Sequence, residues 1–93
     1  MPNQEREARR VSIEVFLDAE ATEALAWLGI EDTCLVVAGR CYDLYRGWGE
    51  EVSIEHCQHE AVQALYRVLS GRGLWDEGAY RLCNLALRKE ERS

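Results

Sequence analysis

The chain is expected to be mainly α-helical, with one N-terminal β-strand followed by about four helices, and to form a homodimer through paired strands. Val11, Ile13, Val15 and Leu17 alternate with Ser12, Glu14 and Phe16, which is the period of a strand. Every later apolar stretch recurs at helical spacing instead. A single strand leaves ladder groups unpaired, so the same segment of a second copy is its simplest partner.

The helices follow in order. Asp18 is placed to cap a short helix, Ala19 to Leu28, whose apolar content is Leu25, Trp27 and Leu28 and whose stop is Gly29. A second helix, Glu31 to Gly47, carries Cys34, Val37, Ala38, Cys41, Leu44, Tyr45 and Trp48 on one face. Leu35 and Tyr42 widen that face, as if it were covered from two sides. Ser53 reads as the cap of a third helix ending near Ser70, with Ile54, Cys57, Ala61, Leu65 and Val68 inward. Gly71-Arg72-Gly73 supplies a Schellman-type stop, and a fourth helix runs from Asp76 to Glu91 with Tyr80, Cys83, Ala86 and Leu87 inward. Residues 1–10 form a polar segment expected to be flexible, and 11–91 a single helical domain.

Composition narrows the function. No apolar run reaches the length of a signal peptide or membrane span, so a cytoplasmic protein with four reduced cysteines is expected. The net charge of −6 is uneven: Val11 to Glu60 holds eleven acids against Arg40 and Arg46, whereas Ala61 to Ser93 carries six bases against four acids. An acidic surface repels nucleic acid and anionic membranes and suits a protein partner.

The motifs that carry chemistry are sparse. His56-Cys57-Gln58-His59, with Cys34, Cys41 and Cys83, lacks the paired ligand spacings of a structural zinc site. Gly71-Arg72-Gly73 follows a helix, not a strand, so it does not cradle phosphate. The acid pairs Glu31-Asp32, Glu50-Glu51 and Asp76-Glu77 sit at helix ends, where capping and dipole effects account for them. No catalytic residue, metal or cofactor is expected.

The run Arg9-Arg10-Val11-Ser12-Ile13-Glu14-Val15-Phe16-Leu17-Asp18, followed by Glu23-Ala24-Leu25, resembles the ribbon-helix-helix family over residues 9–48. That resemblance implies a strand-paired dimer, with Ser12, Glu14 and Phe16 facing the DNA groove. The charge opposes the DNA-binding half of the implication, because a ribbon face carrying Glu14 and no base is a poor reader, with only Arg9 and Arg10 just before it placed to meet phosphate. The repressor or antitoxin that this resemblance implies is the alternative function.

Protein binding is the primary expectation. Three tryptophans, four tyrosines and ten arginines against one lysine match the side chains enriched in protein interfaces. Leu35, Tyr42, Tyr45, Arg46 and Trp48 on the second helix form the expected interface, and Val11, Ile13, Val15 and Leu17 the dimerisation strand. In size, acidity and helical content the chain is similar to the small antiactivators of bacterial transcription, including those of quorum sensing. That likeness implies a non-catalytic inhibitor that stops a transcriptional regulator from dimerising. It rests on general character, and carries no functional residue across.

Overall fold

A computed structural model describes residues 2–92, with side chains described from Ala8 to Arg88. Four helices build it: α1 (Pro2–Leu25), α2 (Ile30–Gly47), α3 (Ile54–Gly71) and α4 (Glu77–Arg92). Helix α2 is central and packs against the other three, while α4 rests mainly on α2 and touches α3 little. The product is an all-α four-helix bundle.

No strand occurs among the described residues, which corrects the expectation for Val11–Leu17: this segment lies within α1. The reason is that spacing of four residues belongs to both periods. Ile13 and Leu17 are inward in either geometry, but Ala21 and Ala24 continue their stripe at helical spacing, and all four are buried. Val11 and Val15, expected to face the same way, are 59% and 64% exposed on the other side. No glycine or proline interrupts the chain between Pro2 and Gly29, so good helix formers on both sides carry the β-branched run along. Ser12 and Thr22 settle into the helix by donating their hydroxyls to the carbonyls of Ala8 and Asp18, at 2.9 and 2.7 Å. With the strand goes the paired-strand dimer, and with it the ribbon of the ribbon-helix-helix arrangement.

Asp18 is therefore not a helix cap. It lies in the middle of α1 and ties that helix to α3, accepting from Arg67 Nε at 2.9 and 3.2 Å while Arg67 Nη2 approaches Oδ1 at 2.8 Å. The planar guanidinium suits such a two-pronged contact.

The remaining caps fall where expected. The Ser53 hydroxyl accepts from the His56 amide at 3.1 Å, and Asp76 Oδ1 accepts from the Ala79 amide at 2.8 Å. Both α2 and α3 end in a Schellman motif around a glycine of positive φ, Gly49 at 74° and Gly73 at 71°. In the first, Gly49 and Glu50 donate to the carbonyls of Arg46 and Tyr45; in the second, Gly73 and Leu74 donate to those of Ser70 and Leu69. These glycines adopt a conformation that other residues enter at a cost.

The core is rich in small side chains. Leu17, Val37 and Leu65 are fully buried, surrounded by Ala21, Ala38, Ala61, Ala64 and Ala86 and by all four cysteines. Small residues let the helix axes approach closely, which is how a short chain closes a core around few large residues. The cysteines meet in two pairs, Cys41 with Cys57 between α2 and α3, and Cys34 with Cys83 between α2 and α4, each joined by a thiol hydrogen bond. Burial, reinforced by Cys57, pushes the Cys41 thiol far up. The hydrogen bond from Cys34 lowers that of Cys83 against the opposing effect of burial.

Candidate functional site

The antiparallel helices leave two ends of unlike character. At one, the start of α1 meets the α2–α3 connection; at the other, the end of α1 and the start of α2 meet the α3–α4 connection.

The first end is polar and aromatic, and its groups engage one another. Tyr45 makes edge contacts with Trp48 at 6.0 Å and with the His56 ring at 5.7 Å. Its hydroxyl lies 3.3 Å from His56 Nε2, which also faces Glu60 at 3.7 Å. Arg9 stacks over Trp48 at 5.2 Å and pairs with Glu50. Burial, then the Glu60 carboxylate, raises the Tyr45 phenol above its ordinary range. Arg9, Tyr45, Glu50, His56 and Glu60 border a hollow of about 410 Å³, lined also by Arg10 and Ile13.

The five interface residues expected from sequence are spread along α2 and its C-cap. Tyr45 and Trp48 join the cluster just described, Tyr42 carries the Arg46 guanidinium at 5.7 Å, and Leu35 is half-buried against the core. Leu35 and Trp48 lie thirteen residues apart, roughly 20 Å along α2. Of the dimerisation set, Ile13 and Leu17 are core while Val11 and Val15 face outward. The histidine-cysteine run is divided as well: Cys57 is buried beside Cys41, and His56 and His59 are exposed. Among the described residues no three His, Cys, Asp or Glu side chains converge on a metal position.

The second end is apolar and open. A groove of about 780 Å³ runs between the end of α1, the start of α2 and helix α4, walled by Leu25, Ile30, Leu74, Leu82 and Leu85 with Leu69 beneath. Leu74, Leu82 and Leu85 remain 59%, 36% and 45% exposed. Beside it, in the α1–α2 connection, Trp27 is 84% exposed and Leu28 is also accessible. Trp27, read from sequence as part of the apolar content of a short helix reaching Leu28, stands in solvent, because α1 has ended at Leu25 and the Ala26–Leu28 turn is held by bonds back to Glu23 and Ala24. A small chain gains by burying such residues, so several left together in one region make this a candidate contact surface.

This surface was missed in the sequence because its parts come from all four helices and the intervening turns. The available signal was Leu82 and Leu85, three apart on a stripe of α4 about 100° round from that of Cys83 and Ala86.

No known protein family matches the chain, and no curated protein or solved structure matches it. Among the described residues no helix is long and apolar enough to cross a membrane.

Proposed function

We propose that this chain is a non-catalytic protein-binding regulator that sequesters or blocks another protein. One observation carries this: the open groove of Leu25, Ile30, Leu74, Leu82 and Leu85, with Trp27 exposed beside it. An apolar surface of this kind is stabilised only when a partner removes it from water. The polar-aromatic end is the lesser candidate because its rings and charges already serve one another.

The partner we favour is a transcriptional regulator held away from its own dimer, in keeping with the chain's size, acidity and helical character. A regulator that buries an apolar face on dimerising presents the complementary surface when monomeric, and the groove competes for it. The test is affinity capture from the source cells with the native chain and with Leu82→Gln/Leu85→Gln. A stoichiometric partner captured by the first and lost by the second supports protein binding through the groove; equal capture, or none, rejects it. Titrating the captured regulator with the chain should then release it as a monomer in complex. Recovery of its intact dimer with the chain attached would reject the antiactivator mechanism.

A further inference from the structure

The groove also has a length and a sign of charge. Beyond Leu85 it continues into a second depression of about 320 Å³ lined by Arg81, Asn84, Leu85 and Arg88, so Arg81 and Leu85 belong to both. From Gly78 to Arg88 the strip follows α4 for roughly 15 Å, three turns of helix. Its apolar walls are chiefly leucine, with Ile30 and Ala79. An extended segment laid there would leave backbone donors and acceptors facing apolar side chains, whereas a helix satisfies them internally.

The charges along this strip are basic, in contrast to the acidic stretch from Val11 to Glu60. Arg72, Arg81 and Arg88 stand at its edge. Of the acids there, Asp76 lines the groove and keeps its charge while accepting from the Ala79 amide, and the exposed Glu77 accepts from Arg81 at 3.1 Å, so three arginines stand against two carboxylates and the balance is one positive charge. Pairing α4 against α4 of a second copy would bring Arg81 and Arg88 towards their own counterparts, which like-charge repulsion opposes.

Building on the protein-binding function proposed above, we infer that the groove accepts a three-turn amphipathic helix of another protein. This helix places leucine- or phenylalanine-type residues at i, i+3 or i+4, and i+7 against Leu74, Leu82 and Leu85. Glutamate or aspartate on its flank meets Arg72, Arg81 and Arg88. Apolar contact supplies the affinity, and the arginines select the sign of the flank.

A display library of three-turn helices, varied at both apolar and flanking positions, tests this against the full chain, with Leu82→Gln/Leu85→Gln as counter-selection. Groove-dependent binders should be rich in flanking acids, and roughly fivefold weaker on Arg81→Gln/Arg88→Gln or at high salt. Leu74→Gln, which lies outside the helices, should weaken the same binders and guards against misfolding of the α4 variant. Basic or unbiased flanks overturn the charge assignment, and absence of groove-dependent helices overturns the inference. A concentration-dependent dimer of the native chain, abolished by the groove substitutions, assigns the groove to a second copy and also overturns it. Because partner capture from cells is a separate measurement, a groove-dependent partner found there keeps the protein-binding function even if the helix library fails.

Discussion

The two Schellman motifs close α2 and α3 with the same backbone hydrogen bonds, yet the residue after each glycine turns the two ends of the molecule to different purposes. After Gly49 comes Glu50, which pairs with Arg9 and completes a cluster of rings and charges. After Gly73 comes Leu74, whose amide returns to Leu69 and whose side chain joins the groove wall. At one end the rings and charges engage one another. The other has an apolar wall without a cover, and near it, in the first turn of α2, the Thr33 hydroxyl is fully buried with no hydrogen-bond partner among the described residues. Aromatic residues by themselves therefore do not mark an interface; what distinguishes one is whether the chain has already used them.

The largest expected effect is at the polar end. Tyr45→Ala removes two ring contacts and the approach to His56, and should cost about 2 kcal/mol in chemical denaturation. Partner capture by the folded protein should be unchanged, and loss of capture at full stability would reverse the roles of the two ends.

Next comes the alkaline limb of stability. The Cys41 thiol is raised by burial, so it remains protonated in the folded chain where the unfolded thiol ionises, and its contribution is complete below pH 9.0 and lost above it. Tyr45 acts in the same direction above pH 10.0, while the lowered Cys83 acts in the opposite one. The difference between the native chain and Cys41→Ala isolates the first effect. It should shrink by about 1 kcal/mol between pH 8 and pH 10. A difference independent of pH would mean that Cys41 is no more protonated when folded than when unfolded.

Thr33→Val should raise stability by about 1 kcal/mol, because it replaces an orphaned buried hydroxyl with a methyl of similar size. A loss of stability would show that the hydroxyl has a partner and that the apolar end is better satisfied than its geometry indicates.

The smallest change in stability, within about 0.5 kcal/mol, is expected for Leu85→Gln on the open face. Its effect on binding should be large. A substantial destabilisation would make the groove part of the core and would remove its claim to be a contact surface.

Much of the fold was legible along the chain. Ser53, Asp76 and Gly73 mark helix ends through local hydrogen bonds and φ preferences, which depend on only a few neighbouring residues. The inward positions of α2, Cys34, Val37, Ala38 and Cys41, follow from their spacing alone. The segment Val11–Leu17 was not legible, because a window of seven residues containing Ile13 and Leu17 satisfies two periods. Ala21 and Ala24, which decide between them, are weak markers of a buried face.

By itself, the sequence determined a charged, predominantly helical chain, the ends of its last three helices and the burial of its cysteines. All of these arise from local bonding or from periodicity along one element. Tertiary structure decided that the first segment is helical, that Asp18 joins Arg67, and that the aromatics of α2 are engaged while Leu74, Leu82 and Leu85 are open. Those outcomes depend on which surfaces of different helices meet, and burial is a property of the assembled bundle rather than of any one stretch of residues.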